Sequence, residues 1–217
     1  MRRGPAMPRG DRHERLFRTQ LIEELSRVHP VIPVLVWTPV IGWLVQRSVV
    51  VHHLDGRTAA ALAAAGLLAW SLAEYVIHRF VLHLAATSPG RRRLQYIVHG
   101  IHHDHPDDRM RLLMPPAPAA VVAMMLYGLF RIVLGAARVD PFFASFLAGY
   151  LLYDYAHLAL HCRRQRTRLG RYLRRRHMLH HFVTPDARWG VTSPLWDWVF
   201  RTTGEERTST SRIAVGG

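Results

Sequence analysis

Apolar residues gather in four long runs, and polar residues separate those runs unevenly. The first run covers about 31–51 and turns polar only at Gln46 and Arg47. The second covers about 58–77 and is rich in alanine and leucine. The third covers about 116–139 and the fourth about 141–161. Each is close to the roughly 20 residues that a helix needs to cross the hydrocarbon of a bilayer. The linkers between the first two runs (HHLDGR) and between the last two (around Asp140) are very short, which forces two helical hairpins. A polar segment of about 38 residues, 78–115, joins the hairpins. The pattern predicts an all-α, four-span integral membrane protein.

The ends of the chain read differently. Residues 1–27 are polar and hold seven arginines, without the pattern of a cleavable signal peptide. Within ERLFRTQLIEELSRV, the residues Leu16, Phe17, Leu21, Ile22 and Leu25 recur at helical spacing, which suits an interfacial helix. The small, polar stretch after about Gly204 predicts disorder. The expected organisation is a basic segment over 1–30, a membrane domain over 31–203 and a tail over 204–217.

Charge fixes the orientation. The chain is 49% apolar yet carries a formal net charge of +14. Apolar runs of this length exclude a soluble nucleic-acid-binding domain, and arginines attracted to anionic headgroups account for the basic excess. Arginines concentrate in the N-terminal, central and C-terminal segments and are few in the two hairpin loops. The positive-inside rule then places both termini and the central segment in the cytoplasm. The arginine- and alanine-heavy composition points to a GC-rich bacterial genome, and so to a plasma membrane. A single cysteine, Cys162, excludes an internal disulfide and a zinc site built from cysteine pairs.

Ten of the fifteen histidines fall into four clusters beside the ends of the apolar runs. They are His78 and His83; His99, His102 and His103; His157 and His161; and His177, His180 and His181. All four clusters fall on the cytoplasmic side set by arginine placement. Neutral imidazole is the commonest metal ligand, and ten rings suit two ions. Each triplet has the spacing i, i+3, i+4, which puts its rings on one helix face. His78 and His83 lie about 140° apart on an ideal helix, as suits two different metals or a helix that ends between them. Iron accepts imidazole and activates oxygen where positions stay open, whereas structural zinc needs far fewer ligands. Glu74 and Asp154, each within one turn of a histidine, and Asp104 beside the second cluster are the carboxylates expected to fix ring orientation.

The remaining histidines read as ordinary residues. His13 and His29 fit hydrogen-bonded roles, His52 and His53 fall in the opposite loop, and His105 is a neighbour of the second triplet. A histidine-rich metal transporter would need polar groups along a path through the bilayer, and the spans are nearly free of them except at their cytoplasmic ends.

The stretches EYVIHRFVLH (74–83), HGIHHDHPDDRMRLLMPP (99–116), YDYAHLALHC (153–162), RRHMLHHF (175–182) and GVTSPLWDWVFRTT (190–203) carry a resemblance. The chain resembles the fatty acid 2-hydroxylase branch of the fatty acid hydroxylase and sterol desaturase superfamily. The segment 99–116 and the TSPLWDWVF ending distinguish that branch from sterol- and carotenoid-modifying relatives. The resemblance implies a cytosolic helical cap over a dinuclear metal site, with the ten clustered histidines as ligands. It implies a di-iron enzyme, although zinc is a possible occupant after purification. It also implies oxygen-dependent hydroxylation at carbon 2 of a fatty acyl chain, free or ceramide-like. Eukaryotic members often carry a fused cytochrome b5 domain, and this chain shows none. A separate cytochrome b5-like or ferredoxin-like donor is therefore expected. The family usually has tyrosine and histidine where this chain has Leu158 and Cys162. Candidate substrate contacts are Tyr153, Arg109 and Arg111, and Trp189, Trp196 and Trp198 are expected as interfacial anchors.

Overall fold

A computed structural model describes residues 15–85 and 87–204. Among them there is no strand. The helices are α1 (Gln20–Leu25), α2 (Ile32–Val50), α3 (Gly56–Val76), α4 (Pro89–Gln95) and α5 (Ile101–Asp104). They continue as α6 (Pro116–Leu134), α7 (Ala136–Cys162), α8 (Arg168–Phe182) and α9 (Leu195–Val199). Two π-helical stretches, Ile77–Leu82 and Tyr96–Gly100, extend α3 and α4.

Among the described residues, three helices are long and apolar enough to cross a membrane: Ile32–Val50, Gly56–Leu82 and Pro116–Leu134. Their surfaces are apolar. On α6, Met124, Met125, Ile132 and Val133 are all at least 66% exposed. Such a belt suits lipid and not water. The protein is a membrane protein. At 27 residues α7 is about 40 Å long at 1.5 Å per residue. It is also the central one, packed against α2, α3 and α6. Its polar residues, among them Arg138, Asp140 and Asp154, separate it in composition from the other three.

The second hairpin turns earlier than the sequence suggests. Gly135, at φ +82°, ends α6, because a left-handed residue breaks the helix at little cost only when it lacks a side chain. Asp140, read as the linker, and Pro141, read as the start of the fourth run, both lie inside α7 instead. Asp140 is fully buried there. It accepts a hydrogen bond from the Tyr127 hydroxyl at 2.8 Å and pairs with Arg47 at 3.1 Å and His52 at 3.3 Å. One carboxylate thus ties α2, α6 and α7 together away from the ten clustered histidines. The first hairpin matches its linker: Asp55 caps α3 by accepting from the backbone of Arg57 and Thr58, each at 3.0 Å.

Helices α3 and α7 approach closely at Gly66. A β-carbon there would lie 2.1 Å from the Phe142 carbonyl oxygen. Gly66→Ala should force the helices apart and lower stability by about 1–3 kcal/mol, as overpacking does. Thermal unfolding in detergent checks this, and an unchanged midpoint would contradict the contact.

The N-terminal stretch is not one long interfacial helix. Among its described residues only Gln20–Leu25 is helical, and Leu16 and Phe17 precede it. Their backbone N–H groups donate to the buried Glu23 carboxylate, which also pairs with Arg27 and Arg111. Val28 N donates to Met110 O at 2.7 Å, fastening this stretch to the central segment. The remainder of the predicted N-terminal segment, including His13, and the tail after Gly204 lie outside the described residues.

Candidate metal centre

The ten clustered histidines converge into two groups of five. His78, His83, His99, His103 and His180 form the first; His102, His157, His161, His177 and His181 form the second. Within each group one nitrogen per ring lies within 4.8 Å of all the others. The division runs across the chain. Each half supplies four rings to one group and lends the middle member of its triplet, His102 or His180, to the other. The triplets are therefore split: the i, i+4 pair faces one group and the i+3 ring the other.

The local backbone explains His78 and His83. The stretch between them is π-helical, and His83 N donates to His78 O at 3.2 Å, an i→i+5 bond. That wider turn brings the rings onto one side, with centroids 5.2 Å apart. They belong to one group and not to two metals. Cradling them is a loop that sequence reasoning missed. His78 Nδ1–H donates to the Trp189 carbonyl at 2.6 Å, and His180 Nδ1–H donates to the Ala187 carbonyl at 2.8 Å. A carbonyl only accepts, so each proton sits on Nδ1 and each Nε2 turns a lone pair inward.

Facing nitrogens test whether a cation fits. Nε2 atoms approach at 2.7 Å (His161–His177), 3.0 Å (His99–His103) and 3.1 Å (His83–His180 and His177–His181). His78 Nε2 and both ring nitrogens of His102 and His157 are buried without a hydrogen-bond partner. Lone pairs brought together this closely repel unless something positive lies between them. Metal–nitrogen bonds of about 2.0–2.1 Å place neighbouring ligand atoms roughly 3 Å apart, so the spacing fits a ligand sphere.

Burial keeps these rings neutral. It pushes His83 and His103 down to about 4 and His181 to about 2, with neighbouring histidines adding to it at His83 and His181. Burial, then nearby histidines, hold His99, His102 and His177 well below the usual range, and His180 is lowered too. Folding therefore disfavours protonation. The stability these groups contribute is present above their unfolded value of 6.5 and is lost as pH falls toward the folded values. Chelated protein should show a melting temperature that drops between pH 7 and pH 5. A flat profile would contradict burial of the neutral rings.

The carboxylates do not touch the histidines as expected. Glu74 accepts from Val191 N at 2.6 Å, Thr192 N at 2.8 Å and the Thr192 hydroxyl. It fixes the loop whose Trp189 carbonyl orients His78, one step removed from the ring. Asp154 is buried beside Tyr150, and Asp104 is exposed next to His103. Asp197 was not singled out from sequence and is fully buried. It accepts from Trp189 N (2.9 Å), Gly190 N (3.0 Å), the Thr202 hydroxyl (2.8 Å) and Arg176 (2.9 Å). The only sequence signal was the aspartate inside an otherwise apolar LWDWVF.

The expected substrate contacts separate. Tyr153 stacks on His157, with ring centroids 5.7 Å apart, and leans on Trp70. Arg109 is exposed near the Cys162 thiol. Arg111 is withdrawn into ion pairs with Glu23 and Asp108. The tryptophans separate as well. Trp189 is not an interfacial anchor: it is buried against the rings of His78, His83 and His180. Trp196 donates to the Ser71 hydroxyl at 3.0 Å, and Trp198 is 57% exposed. His29 and His105 belong to neither histidine group.

Comparison with known proteins places this geometry. The fatty acid hydroxylase family model matches residues 63–202, which hold all ten histidines. The chain belongs to the fatty acid hydroxylase family. It is 34% identical over 189 residues to a dihydroceramide fatty acyl 2-hydroxylase of Arabidopsis thaliana, covering 87% of this chain and 79% of that protein. It is 32% identical to the fatty acid 2-hydroxylase of Homo sapiens, covering 89% of this chain but only 57% of that longer protein. The solved structure of full-length scs7p, in which only the hydroxylase domain is visible, superposes with a TM-score of 0.79. That match has 30% identity and covers 84% of this chain and 69% of the other.

Proposed function

We propose that this chain hydroxylates carbon 2 of a fatty acyl chain, held as a free acid or in a ceramide-like amide, using oxygen and two metal ions. The observation that carries the proposal is the paired set of five inward-facing histidines in a member of the fatty acid hydroxylase family. His78, His83, His99, His103 and His180 would hold one ion, and His102, His157, His161, His177 and His181 the other. The bound metals supply activation of oxygen, and iron suits that chemistry whereas zinc has no redox role.

The chain's own groups do the positioning. The Trp189 and Ala187 carbonyls hold two rings with their Nε2 atoms inward. Tyr153, stacked on His157, forms one wall where the acyl chain passes. Arg109 is the remaining basic candidate for the polar end of the lipid. The reaction converts a C–H bond and O₂ into C–OH and water, and so consumes two electrons and two protons. These come from a separate cytochrome b5-like or ferredoxin-like donor.

In this reading α7 is a fourth span, enclosed by the other three, and the histidines sit under a cap on the cytoplasmic face. Both termini are cytoplasmic, the membrane is a bacterial plasma membrane, and residues 31–203 form the hydroxylase domain. Mass spectrometry of lipids from cells expressing the chain tests the activity. The expected result is acyl chains with one added oxygen, placed at carbon 2 by fragmentation. No oxidised acyl chain, despite bound iron and a supplied donor, overturns the reading; oxidised sterols or carotenoids in their place would reassign the substrate.

A further inference from the structure

The segment 163–176 holds eight arginines and no acidic residue. Its helix, α8, has two chemically opposite sides. His177, His180 and His181 face the metal-binding groups. Arg168, Arg171 and Arg175, at i, i+3 and i+7, form an exposed row on the other side. Arg164, in the turn before α8, and Arg171 line an open cleft, shared in one part with Arg166 and in another with Arg174, Arg175 and Met178. The turn is braced rather than loose: Arg171 donates to Arg166 O at 2.6 Å, Arg174 to Leu160 O at 2.9 Å, and Thr167 caps the helix.

This arrangement meets a need that the proposed reaction creates. Resting on that reading, each turnover draws two electrons from outside the chain. We propose that the arginine-lined cleft on α8 is the docking surface for a small electron-carrier protein with an acidic face. Two reduced carriers dock in turn, and each leaves oxidised by one electron. The electrons, with two protons, reduce one atom of O₂ to water while the other enters the C–H bond. A carrier seated there is separated from His177 and His181 by about one helix diameter, roughly 10–12 Å. A concave cationic surface fits a convex acidic protein, whereas a bilayer is flat and would meet only its rim. Charge complementarity of this kind acts mainly on the association rate and falls with salt.

The test uses the full chain, metal-loaded, in nanodiscs of phosphatidylcholine alone. Plant-type ferredoxin and the soluble domain of cytochrome b5 serve as probe carriers. Binding is read by biolayer interferometry and turnover by lipid mass spectrometry. The variant R164E/R168E/R175E should weaken carrier binding and raise the KM for carrier at least tenfold at low salt, and salt should erase the difference. Turnover driven by dithionite with a viologen mediator should stay within about twofold of the parent. If the triple variant does not fold, the neutral R164Q/R168Q/R175Q should show the same effects at smaller size. Unchanged binding and KM in a folded variant overturn the proposal. Lost affinity for phosphatidylserine vesicles with unchanged carrier binding also overturns it and assigns the cleft to lipid headgroups. Absence of hydroxylation in the parent even with dithionite would instead count against the hydroxylase reading, while the binding arm still judges the cleft.

Discussion

His102→Ala should abolish hydroxylation and remove one metal ion per chain. His102 comes from the first half of the sequence but belongs to the second group, with His157, His161, His177 and His181. Its ring is buried, with neither nitrogen hydrogen-bonded to protein, which leaves the lone pair of the unprotonated nitrogen open to a cation. Loss of an outer-sphere partner alone typically costs 10–100-fold in affinity or activity, and loss of a ligand should exceed about 100-fold. Metal analysis of purified protein should fall from two ions toward one, and hydroxylated acyl chains should disappear from the lipid extract. His105→Ala is the matched control, since His105 lies outside both groups. Two ions retained in His102→Ala would break the assignment of this ring.

The second large effect is expected at a residue that holds no metal. Asp197→Ala leaves the buried Arg176 guanidinium without its carboxylate and strips acceptors from Trp189 N, Gly190 N and the Thr202 hydroxyl. Removing one partner of a buried ion pair costs about 3–5 kcal/mol, a large share of a typical folding stability of about 5–15 kcal/mol. The damage should also be directional. The loop that Asp197 organises carries the carbonyls of Ala187 and Trp189, which aim His180 and His78. Both rings belong to the first group, so that group should lose its ion before the second. Thermal unfolding in detergent measures the first effect, and metal titration of the folded fraction measures the second. Asp197→Asn keeps the shape and should fall between the two proteins. Equal metal loss from both groups would mean that Asp197 acts only on global stability.

Much of the fold was legible in the sequence. Hydropathy located α2, α3 and α6 to within a few residues, because lipid-facing helices must be apolar along their length. The exception was the second hairpin. Asp140 looks like a linker, but the break falls at Gly135 and Asp140 is buried among Tyr127, Arg47 and His52. A carboxylate surrounded by partners from other helices looks, in one dimension, like a loop residue.

The ten histidines were legible for a similar reason: clustered imidazoles beside apolar runs have little other use. Spacing also fixed which rings a helix could present together. It did not fix which ion each ring faces. His99 and His103 go to one group and His102 to the other, because two packed helices, not one, set where a nitrogen points. Nor did it anticipate the π-helical turn that brings His83 over His78. The sequence alone thus determined the apolar spans, the clustering of imidazoles beside them and the family, all properties of local composition and order. Only the tertiary structure decided the crossed partition of the histidines and the roles of Asp197, Glu74 and Trp189. Those depend on contacts between residues far apart in the chain, such as the Glu74 hydrogen bond to Val191, and local spacing carries no record of such contacts.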